Sequence, residues 1–243
     1  MDYDYIVIGS GFGGSVSALR LAQKGYRVLV LEKGRRYAAE DFPKTNWNLR
    51  RWLWIPALRF FGFFKITLFR HIMVFSGVGV GGGSLVYANT LAHPVPDFFR
   101  SPSWNGLADW EGELEPHYRT VLRMLGGEIN PKLGKGDLAL QRLAVERGRA
   151  EHFSPARVAV YFGEPGEPAT DPYFNGAGPE RAGCTHCGSC MTGCRHGAKN
   201  TLDKNYLYLA ESLGVSLLAD SEVFDVLPQA DEGGYLVRWR HRR

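Results

Sequence analysis

The sequence predicts a doubly wound α/β fold, on three observations. A glycine-punctuated loop sits between an apolar strand and a helix near the amino terminus, a second buried-strand run follows within one turn, and helix and strand patterns resume after residue 200. Residues 3–8 read as the first strand, and Gly9-Ser10-Gly11-Phe12-Gly13-Gly14 as the loop. Residues 15–24 carry helical spacing of apolar positions and stop at Gly25, where glycine suits a helix end. Tyr26 to Glu32 has the continuous apolar run of a strand buried on both faces, so the first 32 residues form one βαβ unit.

Composition narrows the class. With 44% hydrophobic and 22% charged residues, the 243-residue chain can build a core, which excludes disorder as the default. Its net charge of +4 is spread out and accompanied by no nucleic-acid-binding motif, so no nucleic-acid partner is expected. The start, Met1-Asp2-Tyr3-Asp4-Tyr5, has no basic stretch followed by an apolar run, which predicts a cytoplasmic protein.

From Trp47 to Phe75 the chain is aromatic and apolar, but Arg50, Arg51, Arg59, Lys65 and Arg70 interrupt it and Pro56 and Gly62 break it. No uninterrupted run spans a bilayer, and two readings stay open: the core or lid of a substrate region, or a surface in peripheral contact with a membrane. Residues 97–104 and 161–178 read as loops, 108–125 and 137–152 as helices. Residues 200–213 read as a helix closed by Gly214, with strands at 215–218, 221–226 and 235–240. The last strand is expected to need a partner beyond the final residue, so the fold is expected to be incomplete, with the chain ending mid-domain and poorly soluble alone.

Gly9-x-Gly11-x-x-Gly14 meets the dinucleotide fingerprint in its required context, with a strand before, a helix after and Glu32 some 20 residues on. Gly9 serves the tight turn, Gly11 the approach of a pyrophosphate to the helix N-terminus, Gly14 the packing of helix on strand. With Phe12 and Gly13, these residues form the expected nucleotide contact. Glu32 is expected to accept hydrogen bonds from ribose hydroxyls, and its charge disfavours a 2′-phosphate. These residues alone do not separate FAD from NAD.

A second cluster, Ser76-Gly77-Val78-Gly79-Val80-Gly81-Gly82-Gly83-Ser84-Leu85-Val86, holds too many glycines for a self-sufficient helix or strand, which points to close backbone approach or to a flexible linker. All four cysteines lie in one run, Cys184, Cys187, Cys190 and Cys194, spaced C-x2-C-x2-C-x3-C. That spacing suits an iron-sulfur cluster, a structural zinc site, disulfides or no metal at all, with the cluster placed first.

Taken together, the first glycine motif, Glu32-Lys33-Gly34-Arg35-Arg36 and the second glycine segment resemble the glucose-methanol-choline (GMC) oxidoreductases, in particular the cholesterol oxidase-like branch, over residues 3 to about 226. The resemblance implies an FAD-binding domain at 1–90, a partly helical α+β substrate-region insert at 91–180, and a return to the FAD domain at 181–243. It also implies oxidation of a CH-OH group of an alcohol, sterol-like or otherwise, with hydride passing to the flavin and electrons leaving to oxygen or another acceptor. Gly82, Gly83 and Asn89 would contact the flavin and Val223 the adenine. Tyr87 departs from that branch, which has asparagine there. Some family dehydrogenases hold a three-iron cluster on cysteines spaced like Cys184, Cys190 and Cys194. The family's catalytic histidine lies in a carboxyl-terminal region without counterpart here, so no catalytic residue is nominated and the chain is expected to be an inactive fragment. An NAD-dependent dehydrogenase, or a metal-binding module without catalysis, would each account for only one of the motifs.

Overall fold

In a computed structural model, which describes residues 3–229 and 233–242, the centre is a three-stranded parallel sheet. Strand β1 (Tyr5–Ile8) pairs with β2 (Val28–Leu31), which pairs on its other side with a strand at Ser216–Leu218. All four residues of β2 are buried, as the apolar run requires for a strand covered on both faces. Strand β1 is an edge, with Tyr5 and Ile8 exposed.

Helix α1 (Phe12–Gln23) connects β1 to β2 and buries Ser15, Ala18 and Leu19, one helical stripe. That stripe joins Val28 and Val30 and the helix Tyr206–Ser212, through Tyr206, Leu207 and Ala210, in the main core. Each fully buried Leu or Val contributes ~1.5–3 kcal/mol. The expected helix at 200–213 begins only at Tyr206, because Asn205 leaves helical geometry and its side-chain oxygen accepts from Tyr206 N at 2.6 Å as a cap. The expected helix at 137–152 is shorter, Lys135–Glu146, and exposes all its residues or leaves them half-covered. The helix expected at 108–125 runs Trp110–Met124.

The aromatic stretch is helical only at Leu49–Trp52 and in a 3-10 turn at Pro56–Leu58. It folds into an antiparallel hairpin, β3 (Phe64–Leu68) with β4 (Met73–Gly77), beside a smaller pairing of Trp54–Ile55 with Phe60–Phe61. A second core of Tyr37, Phe42, Phe63, Phe64, Leu85 and Val86 anchors its base. Phe42 and Phe63 meet edge to face at 5.1 Å. Residues 91–180 combine the two helices above with a short pairing of Gly127–Ile129 and Arg157–Ala159. Beyond the sheet, Ser221–Pro228 pairs antiparallel with Tyr235–His241, which corrects the expectation of a partner beyond the final residue: the preceding strand supplies the ladder.

Candidate nucleotide site

The first glycine loop leaves β1 and enters α1 at the carboxyl end of the sheet. A Cβ on Gly14 would lie 1.9 Å from the Gly9 carbonyl oxygen and 3.1 Å from Val7 Cγ1, so only glycine lets helix and strand approach this closely. Gly11 is different. A Cβ there would meet nothing within 4 Å, and the same holds for Gly9 and Gly13, so these glycines keep open a space that the protein itself does not fill. Gly11 caps α1 with no side-chain hydrogen bond, and the first turn carries no acidic residue. The first-turn N-H groups, which no helix can pair internally, therefore face that space together with the positive end of the helix dipole. An anion fits there.

Glu32, 5% exposed, sits at the end of β2. Its Oε2 accepts from Ser10 N at 3.0 Å and Ser10 Oγ at 2.8 Å, and its Oε1 from Gly34 N at 2.9 Å. A carboxylate offers about four lone-pair positions, so three donors leave one for a ligand hydroxyl. Ser10 Oγ in turn accepts from Gly81 N at 3.1 Å. Glu32 thus ties the first glycine loop to the second, a part that sequence reasoning did not assign to it. Neither Ser10 nor Gly34 was singled out, since each acts through contacts that only the folded chain creates.

The second glycine segment lies against the first. Gly82 has φ +52°, and a Cβ on it would come 2.7 Å from Gly11 Cα, so the two loops touch backbone to backbone. Phe12 lies at the same junction: its ring is 3.8 Å from where a Gly83 Cβ would be, and it packs edge to face on Tyr87. Ser84 Oγ accepts from Leu202 N at 3.0 Å and donates to Gly81 O at 2.7 Å, which fixes the segment to residues 199–205 behind it.

Asn89 ends this segment. It is 3% exposed with φ +66°, and its side-chain oxygen is buried with no partner. The buried Asp203 Oδ1, 3.7 Å from a Cβ position on Gly81, is also without a partner. Buried acceptors of this kind cost free energy unless a donor arrives, so both suit a ligand that carries hydroxyl or N-H groups. Asn89 also lines a cavity of about 250 Å³ with Asn130, Phe162 and His186. Val223 is two residues past Ser221, whose N-H bonds the Glu32 carbonyl at 2.8 Å, so the chain brings it to the same end of the sheet. Tyr87 is tied down: its hydroxyl donates to Asn200 O at 3.1 Å, and burial pushes its pKa up.

Lys199 is a buried cation that sequence reasoning missed. It is 1% exposed, and its Nζ donates to the carbonyls of Leu85 (3.1 Å), Tyr87 (2.8 Å) and Cys190 (2.8 Å) while resting 4.7 Å from the Tyr87 ring centroid. Burial pulls it down to about 7, against the opposing pull of Cys190 and Cys194. It clamps the end of the glycine segment to the cysteine loop.

The cysteines gain no support as a metal site. Cys184, Cys187, Cys190 and Cys194 are all free, and among the described residues no three His, Cys, Asp or Glu side chains are placed to hold one metal ion. The chain takes left-handed geometry at His186 (φ +55°) and Gly188 (φ +71°), a surface turn that leaves Cys187 exposed while the other three are half-buried. The iron-sulfur reading therefore has no support in the geometry. Burial raises the Cys184 thiol. At Cys187 burial acts in the same direction, but hydrogen bonds from Ser189 and Thr185 and the charge of Arg195 outweigh it and lower the thiol.

Residues 7–41 match the NAD(P)-binding Rossmann-like domain family. The chain is 51% identical over 231 residues to a cholesterol oxidase of Acinetobacter baumannii, covering 93% of this chain and 42% of that protein. It is 54% identical over 222 residues to a cholesterol oxidase of Mycobacterium tuberculosis, covering 89% of this chain and 38% of that protein. An uncharacterized GMC-type oxidoreductase of M. tuberculosis is 28% identical over 248 residues, with 98% and 34% covered. The chain thus spans about two-fifths of the length of the cholesterol oxidases it matches.

Proposed function

This chain is homologous to the amino-terminal part of the cholesterol oxidases, within the wider GMC-type oxidoreductases, and from that footing we propose that it is the FAD-binding portion of an FAD-dependent alcohol oxidoreductase. The observation that carries the reading is the interlock of two glycine segments around an open helix N-terminus, with Glu32 joined to both. A nicotinamide enzyme needs the first segment only; the second, with the unpaired Asn89 oxygen at its end, provides for a longer ligand.

FAD, when bound, supplies the hydride acceptor for oxidation of a CH-OH group. The chain's own residues bind and orient. The first-turn N-H groups of α1 receive the pyrophosphate, and Glu32 keeps one acceptor position for a ribose hydroxyl. Gly82, Gly83 and Asn89 line the continuation, and Tyr87, held by Asn200 and Lys199, gives it a rigid apolar wall. The substrate class is a sterol or similarly apolar alcohol, in line with the names of the two closely matching relatives. Residues 91–180 form the substrate-side insert.

The test is the absorption spectrum of the purified chain after incubation with FAD and removal of the excess. One flavin per chain supports the reading. A chain that takes up NAD but excludes FAD overturns it in favour of a nicotinamide enzyme.

A further inference from the structure

Cys184, Cys187, Cys190 and Cys194 all line one cavity of about 20 Å³, and all four are free thiols. That volume admits one water-sized molecule and nothing larger. Four nucleophiles gathered on one small void are chemistry that flavin binding does not use.

Their surroundings give them different parts. Cys187 is exposed, while the other three are half-buried. Burial opposes ionisation of Cys187, but hydrogen bonds from Ser189 and Thr185 and the charge of Arg195 hold its thiol below the ordinary value. The thiolate is the reactive form, so Cys187 is the group that attacks. Cys184 is the opposite case: its Sγ accepts from His186 N at 3.4 Å, and burial raises its thiol.

Cys190 follows Cys187 by three residues, and Gly188, left-handed at φ +71°, bends the chain between them. The ends of a bent four-residue segment approach to within roughly 7 Å, the range a disulfide spans. Both sides of that segment are anchored. The His186 ring stacks on Phe162 at 5.7 Å, and the Cys190 carbonyl accepts from Lys199 Nζ at 2.8 Å at the start of a short 3-10 turn, Cys190–Thr192. Cys194 lies beyond that turn, which leaves Cys190 as the partner in reach.

We propose that Cys187 and Cys190 form a dithiol that reacts with hydrogen peroxide, a co-reactant of the size the cavity admits. The Cys187 thiolate attacks one peroxide oxygen, so that an S–O bond forms and the O–O bond breaks, and the departing hydroxide takes up a proton as water. The Cys190 thiol then attacks the sulfur of the resulting sulfenic acid: the S–S bond forms, the S–O bond breaks, and the oxygen leaves with the thiol proton as a second water. Two thiols lose two electrons, and one peroxide becomes two waters. The site stands on residues other than those of the glycine cradle, so either can fail without the other.

The experiment treats the full polypeptide, after its iron and zinc content has been measured, with an equimolar amount of hydrogen peroxide. Remaining thiols are alkylated with one reagent, the protein is reduced with dithiothreitol, the released thiols are alkylated with a second reagent, and tandem mass spectrometry reads the label on each cysteine. The result expected is the second label on Cys187 and Cys190 together and the first on Cys184 and Cys194. Cys187→Ser should slow thiol loss roughly tenfold or more, and Cys190→Ser should stop at a sulfenic acid on Cys187 that dimedone captures. Four free thiols in the wild type after peroxide overturn the proposal, as does the second label on any other pair. Thiol loss at the wild-type rate in Cys187→Ser overturns it too, and so does stoichiometric iron or zinc, which would assign the thiols to a metal.

Discussion

The glycine cradle and the cysteine loop are both dense, regularly spaced motifs, yet the geometry supports a ligand site at the first and gives no support for a metal at the second. In the cradle the two segments lock by contact: Gly14 against Gly9, Gly82 against Gly11, Ser10 between Glu32 and Gly81. In the cysteine loop the spacing places four thiols within one run, but the turn at His186 and Gly188 carries Cys187 to the surface and no metal-holding group forms among the described residues. A glycine motif states a steric fact about backbone, which the fold must honour. A cysteine motif states only which ligands are at hand, and loop geometry decides whether they converge.

The contrast can be broken most directly at Gly14. Gly14→Ala pushes a methyl group into the Gly9 carbonyl and should cost about 3 kcal/mol, read as a lower denaturation midpoint, with flavin uptake lost alongside it. A variant as stable as wild type would mean that the loop relaxes freely and that the interlock is not tight.

Lys199 joins the two regions, so it tests whether they are coupled. Lys199→Ala strips a donor from three carbonyls and should cost about 2 kcal/mol, measured by urea unfolding, and weaken flavin retention. Loss of stability with flavin retention intact would separate the loop from the cradle.

At the small end, Cys187→Ser should change stability by less than about 0.5 kcal/mol, as for exposed positions generally. In the wild type, alkylation should reach Cys187 first, with a midpoint below the ordinary thiol value of 9.0, and Cys184 last, with a midpoint above it, as followed by peptide mass spectrometry across a pH series. Equal protection of all four thiols, with stoichiometric iron or zinc, would show that the loop closes on a metal after all.

How much of this was readable in advance follows the same division. The βαβ unit, its glycines and Glu32 were legible because they lie within 32 residues and obey local rules of strand, turn and helix. The Ser10–Gly81 and Lys199–Leu85 bonds join residues 71 and 114 apart, and nothing local marks them. The β3–β4 hairpin was hidden for another reason: its turn, Phe69-Arg70-His71-Ile72, has no glycine, proline or asparagine to announce it. The stretch therefore read as broken apolar chain. Asn205 shortened the expected helix by taking the cap position inside what looked like one continuous pattern.

The central claim is that Gly11 keeps open a space meant for FAD. Titration of FAD into the wild-type chain and into Gly11→Ala, followed by quenching of flavin fluorescence, tests it, because the added methyl group meets no protein atom within 4 Å and so acts on the ligand alone. The account predicts one tight site in the wild type, at least tenfold weaker binding in Gly11→Ala, and the same melting temperature for both. Equal FAD affinity in the two proteins would contradict it.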